Sequence, residues 1–163
     1  MFLDFKKNHG LNIKIARFHN IFGPNGTWQG GKEKAPAAII RKVLQATDHI
    51  EIWGDGKQTR SFLFIDDCLD AIQSLMYNEF SGPVNIGSEE MVSIDELARM
   101  AIKIADRPDL QIKHIDGPVG VRGRCSDNRL IEEKLGWAPK LSLYQGMKLT
   151  HNWIKEQLRS TNG

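Results

Sequence analysis

The stretch from Ile50 to Asp67 constrains the fold of this chain more than any other. Ile50 and Ile52 alternate with polar residues, Gly54-Asp55-Gly56 follows, Phe62 and Phe64 alternate again, and Asp66-Asp67 closes the run. A period of two on each side of a glycine turn predicts strand, turn, strand. Glycines at 54 and 56 supply the positive φ that so tight a connection needs. Asp66 or Asp67 can cap the helix that the next residues predict. Such a unit holds Gln58 and Arg60 at a fixed place near the turn. The planar fork of Arg60 suits a phosphate or a ribose edge. The competing reading is a surface hairpin with a solvated arginine.

The remaining chain reads as mixed α/β with short strands. Residues 1–9 resemble the end of a helix cut off at its start, with Gly10 at its C′ position. Leu11 to Phe18 is predicted as a strand. Helix, glycine, strand is half of a βαβ unit, and the few strand candidates that follow suggest sheet partners outside the chain. Residues 19–33 form a long Gly-, Asn- and Pro-rich loop, of the kind that is functional or disordered. Ala35 to Ala46 is a helix with Pro36 in its first turn and an apolar stripe of Ile39, Ile40, Val43 and Leu44. A helix from about Asp67 to Tyr77 precedes a short buried strand, Pro83 to Gly87, and Met91-Val92 adds an extended piece. Ser93 with Glu96 is a capping box for a helix to about Ala105. Gln111 to Ile115 is a strand, and Asp116 to Ser126 a second long loop carrying Arg122 and Arg124. Asp127 or Asn128 caps a short helix ending at Leu135-Gly136. Ser142 with Gln145 opens the last helix, to about Leu158, and the tail beyond it is expected to fray. The whole is read as one domain, residues 1–163.

Composition excludes several function classes. A net charge of +2 over 163 residues does not argue for nucleic acid or an anionic membrane. No apolar run approaches the length of a membrane span, and no export signal opens the chain. Cys68 and Cys125 form neither a disulfide framework nor a metal spacing, which suits a reducing, cytoplasmic setting. The five histidines include no i, i+4 pair, so no metal site is expected. No glycine-rich dinucleotide fingerprint follows a strand. Tyr144 and Lys148 match Tyr-x-x-x-Lys in spacing alone, on a late helix with no dinucleotide fold before it.

The turn sequence Gly54-Asp55-Gly56-Lys57-Gln58-Thr59-Arg60-Ser61-Phe62, with Ile65-Asp66-Asp67, resembles the nucleotide-sugar segment of extended short-chain dehydrogenase/reductases. Arg17-Phe18-His19-Asn20-Ile21-Phe22-Gly23-Pro24 resembles their Arg-x-x-Asn-Val-Tyr-Gly-Pro motif. The run Gly26-Thr27-Trp28-Gln29-Gly30-Gly31-Lys32-Glu33-Lys34-Ala35-Pro36-Ala37-Ala38 is more specific. It resembles the Gly-Thr-Trp-x-Gly-Gly-Arg-Glu-Lys-Ala-Pro-Ala-Ala run of the GDP-mannose 3,5-epimerase family, with Lys32 in place of an arginine. Val121-Arg122-Gly123-Arg124-Cys125-Ser126-Asp127-Asn128 resembles that family's Val-Arg-Gly-Arg-Asn-Ser-Asp-Asn, with Cys125 in place of an asparagine.

That resemblance implies the α/β fold of the substrate-binding half of an extended short-chain dehydrogenase, with residual strands of an incomplete Rossmann sheet. It implies a reaction in which NAD oxidises C4 of GDP-mannose, an acid/base pair moves the protons at C3 and C5, and the ketone is reduced again to give GDP-L-galactose. Lys34 matches the lysine of that pair. Asn20, Glu33, Lys34, Ala35, Lys42, Gln58, Thr59, Arg60 and Arg124 match positions lining the nucleotide-sugar pocket. The NAD site, the hydride-transfer tyrosine and lysine, and the cysteine partner of Lys34 are expected in an N-terminal half absent here. Two outcomes follow as expectations: no cofactor-binding residue in this chain, and no turnover by the chain alone. A separate N-terminal half is a candidate partner. Alternatives are another nucleotide-sugar epimerase, dehydratase or decarboxylase, and a binding module without catalysis.

Overall fold

The structure is a computed structural model and describes residues 1–161. In chain order the elements are α1 (Phe2–His9), β1 (Ala16–Phe18), β2 (Ile21–Phe22), α2 (Ala35–Gln45), β3 (His49–Trp53), β4 (Thr59–Ser61), β5 (Leu63–Phe64) and α3 (Ile65–Tyr77). They continue with β6 (Val84–Ile86), β7 (Met91–Ser93), α4 (Ile94–Ile104), β8 (Gln111–Ile115), β9 (Gly123–Arg124), α5 (Arg129–Leu135) and α6 (Leu143–Thr161).

Two hydrophobic clusters hold these elements. In the larger, the predicted stripe of α2 meets α4, α6 and the inner face of β3: Ile39, Ile40, Val43, Ile50, Ile52, Leu97, Ala101, Met147 and Ile154 are all buried. Ile40 and Val43 have no exposed surface at all, and each such side chain contributes about 1.5–3 kcal/mol by leaving water. Phe22 packs edge-on against Phe62 and Phe64 in the same cluster. The smaller cluster joins Cys68, Ala71 and Leu75 of α3 to Val84 and Ile86 of β6, with Ile131 and Trp137.

The strands form small, mostly parallel ladders: β1 with β6, β2 with β5, β3 with β8. A fourth group, of three strands, has β4 in the middle, antiparallel to β7 and parallel to β9. Alternation along 50–64 gives the strands but not a hairpin. β3 and β4 flank the glycine turn without pairing to each other, because each finds its partner further along the chain.

Other expectations are corrected in detail. β1 has a partner within the chain, β6, and is shorter than Leu11 to Phe18, since only residues 16–18 pair in register. The loop 19–33 contains β2. Neither Asp66 nor Asp67 caps α3, which starts at Ile65. The buried Asp67 carboxylate instead accepts the backbone N–H groups of Lys140 (3.2 Å) and Leu141 (3.1 Å), tying α3 to the entry of α6. The Asn128 side chain does not cap α5 either. It donates to Gly87 O and accepts from Ser126 Oγ in a buried cluster beside β6. The capping box of Ser93 and Glu96 forms as predicted. α6 continues past Leu158 to Thr161, while Asn162 and Gly163 lie outside the described residues.

Candidate functional site

Seven of the nine resemblance-matched residues fall into two adjoining groups. Glu33, Ala35, Lys42 and Gln58 line one cleft of about 460 Å³ between α2 and β3, with Ile94 and Pro118 closing it. α2 contributes Ala35, Ala38, Ile39, Arg41 and Lys42 along one face, while β3 contributes Glu51, Ile52 and Trp53. Trp53 is half exposed at the mouth, and a Cβ on Gly117 would stand 2.7 Å from its indole, so only glycine lets the 116–120 loop come this close.

The polar groups of this cleft bond to one another and to the backbone. Arg41 Nη2 lies 2.7 Å from Glu33 Oε1, and its Nε donates to Trp28 O at 3.1 Å. The Glu33 side chain is only 5% exposed. Burial raises its pKa, but hydrogen bonds at its own backbone, from Arg41 and at the Gly31 backbone outweigh this and hold the carboxyl below its ordinary 4.5. Lys42 Nζ donates to Glu51 O at 2.6 Å. Two acceptors remain without hydrogen-bond partners among the described residues: Glu33 Oε2 and Gln58 Oε1, both buried. A buried acceptor left unpaired costs about 1–3 kcal/mol, and both of these belong to residues that line the cleft.

The second group lies beyond Gln58, which also borders a smaller hollow lined by Gly54, Asp55, Val119, Gly120 and Arg122. Thr59 N–H donates to Arg122 O at 2.9 Å. Arg60 stands opposite Arg124 in the β4–β9 register. The Arg60 guanidinium reaches backbone carbonyls, Thr59 O at 2.7 Å and Val121 O, and no carboxylate among the described residues. Arg124 is exposed and forms no ion pair among the described residues. Two like charges placed side by side without an acid between them are unfavourable unless an anion joins them.

Asn20 and Lys34 stand apart from both groups. Asn20 takes a positive φ of 45° and donates from Nδ2 to Ser61 O at 2.9 Å, pinning the β1–β2 corner to the end of β4. Lys34 is the exposed N-cap residue of α2, between Glu33 and Ala35 but outside the cleft lining. It makes no side-chain cap. Arg41, the ion-pair partner of Glu33, is not singled out by the sequence: its spacing eight residues beyond Glu33 gives no pairing signal.

The parallel strands β1 and β6 run into His19-Asn20 and into Gly87-Ser88, and among the described residues no glycine-rich turn joins either to a helix N-terminus. Nor does any cluster of three or more His, Cys, Asp or Glu fit a metal ion among them.

Comparison with known proteins agrees with this architecture. The sequence pattern described as the NAD dependent epimerase/dehydratase family matches residues 1–87, just over half of the chain. GDP-mannose 3,5-epimerase of Arabidopsis thaliana is 55% identical over 94% of this chain and 41% of its own length. UDP-glucuronic acid decarboxylase 6 of the same plant is 32% identical over 91% of this chain and 43% of its own length. The crystal structure of UDP-glucose 4-epimerase from Thermotoga maritima, solved with UDP-glucose, superposes with a TM-score of 0.87 at 28% identity, over 97% of this chain and 51% of that one. The chain thus spans about two fifths of the length of the curated relatives it matches.

Proposed function

This chain belongs to the NAD dependent epimerase/dehydratase family, and on that premise we propose that it is the nucleotide-sugar-binding part of a GDP-mannose 3,5-epimerase. One observation carries the reading. Two unpaired buried acceptors, Glu33 Oε2 and Gln58 Oε1, line a cleft whose shared residue Gln58 leads directly into the Arg60–Arg124 pair. Hydroxyl groups fit the first and a diphosphate fits the second, and a nucleotide sugar carries both. Lys42 and Ala35 complete the cleft lining, Thr59 precedes Arg60 on β4, and Asn20 holds the β1–β2 corner against the end of β4.

Lys34 is the residue to which we assign proton transfer at the hexose. A cation at the start of a helix opposes the helix dipole, and lysine is a poor N-cap. Local stability therefore does not account for its presence at that position. Its part would be to give or take a proton once substrate is held beside α2. NAD is the cofactor named for the family; we assign its site to another part of the enzyme and this chain no redox step, and we expect no turnover by it alone.

The single-domain reading of residues 1–163 extends to a partner. α1 buries none of its residues, and Met1, Phe2, Phe5, Leu11, Ile13 and Ile15 line an apolar groove of about 610 Å³ beside β1. We assign that groove to a nucleotide-binding half of the enzyme, joined or separate. The two free thiols, Cys68 buried and Cys125 exposed, support a cytoplasmic setting. No helix among the described residues is long and apolar enough to cross a membrane.

Calorimetry of the chain with GDP-mannose, GDP and UDP-glucose tests the reading. GDP-mannose is expected to bind more tightly than UDP-glucose. Equal or reversed preference would favour a UDP-sugar enzyme, the reading that the decarboxylase similarity supports less strongly. Absence of binding to every nucleotide sugar would remove the assignment. Turnover of GDP-mannose by the chain with NAD would overturn the claim of inactivity.

A further inference from the structure

Gly56 marks where the turn that carries Gln58 meets two residues outside the cleft. Its φ is +66°, and a Cβ built on it would overlap Asp95 Oδ1 and stand 2.8 Å from His114 Nε2. Asp95 belongs to the first turn of α4 and His114 to β8, and His114 Nε2 lies 2.8 Å from Asp95 Oδ1. The other carboxylate oxygen, Oδ2, is 3.4 Å from Arg99 Nη2. Backbone bonds converge on the same point. Asp95 N–H donates to Gly56 O at 3.0 Å, and Ile94 N–H donates to Gln58 O at 3.1 Å. These are two of the amides that a helix start leaves without intrahelical partners. On the other side, His114 stands opposite Ile52 in the β3–β8 ladder. The turn is therefore gripped between β8 and α4.

We propose that His114 and Asp95 form a positioning clasp. They hold the Gly54–Gln58 turn against α4, and through it set Gln58 and Arg60 for the nucleotide sugar. Neither side chain lines the cleft, so their effect on a ligand passes through the turn. The inference rests on the assignment of Gln58 and Arg60 to substrate made above.

The test compares wild type, His114→Ala and His114→Gln in the full 163-residue chain. It measures amide hydrogen exchange, and calorimetry with GDP-mannose. His114→Ala is expected to speed exchange at residues 57–60 about tenfold, the scale of one lost hydrogen bond to a charged group. Amides of α2 and α6 should keep their rates, and GDP-mannose affinity should fall several-fold. His114→Gln, whose amide can reach Asp95, should restore both. Unchanged exchange and affinity in His114→Ala would overturn the clasp. So would a loosening spread over the whole chain that His114→Gln does not rescue. If wild type binds no nucleotide sugar, the substrate assignment fails and exchange alone decides: loosening confined to 57–60 upholds the clasp, and none ends it.

Discussion

The cleft beside α2 and the edge at β9 adjoin each other yet hold their polar groups in different ways. In the cleft, Glu33 is nearly out of water and is gripped by Arg41, which is itself bonded to Trp28 O. At the edge, Arg60 and Arg124 stand in register on neighbouring strands, with backbone carbonyls as the only acceptors that Arg60 meets among the described residues. Charges buried in pairs are part of what keeps the fold together, because separating them strands one in a poor solvent. Charges held open contribute little to folding and remain free for an anion. The same residue types are thus tied into the fold in one place and left open in the other.

The contrast can be broken most directly at Arg41. Arg41→Ala leaves the Glu33 carboxylate buried without its cation and is expected to cost roughly 2–3 kcal/mol in urea unfolding, a little less than a fully buried pair because the arginine is partly exposed. A loss near zero would mean that the cleft is no more built than the edge. The same pair gives a pH dependence. The Glu33 pKa is lower folded than unfolded, so its contribution is complete above the ordinary 4.5 and is lost as pH falls through the lower folded value. Glu33→Gln should flatten that acid limb.

Next in size is the edge. Arg124→Ala should weaken GDP-mannose binding about tenfold, more at low salt than at high, and leave the unfolding midpoint where it was. Arg124→Lys should recover only part, since it keeps the charge and loses the fork. A drop in stability equal to that of Arg41→Ala would erase the distinction. The smallest effect is expected at Lys34. Lys34→Asp should stabilise the chain by about 0.5–1 kcal/mol, by capping α2 and complementing its dipole. Destabilisation by that substitution would show that the lysine serves the fold after all.

Much of this architecture was legible in the sequence. The stripe Ile39, Ile40, Val43 predicted α2 and its buried face, and Ser93 with Glu96 predicted the start of α4. Alternation found β3, and the short strand expected over Pro83 to Gly87 is β6. The aspartates of the first turn of α3 misled, because Asp67 serves a segment more than seventy residues away and does not cap its own helix. The motif residues were legible as a set, but not their division into a cleft group, an edge group and two outliers.

Taken alone, the chain of residues determined which segments are helix or strand and which faces avoid water. Those properties follow from periodicity and from caps, which act within a few residues. It did not determine which strand pairs with which. The backbone of β3 offers the same hydrogen bonds to β4, five residues on, as to β8, nearly sixty residues on. Burial of Ile50, Ile52 and the α2–α4–α6 core selects the distant partner. That choice is made by packing in three dimensions, and it is what brings His114, Gln58 and the arginine pair around a single turn.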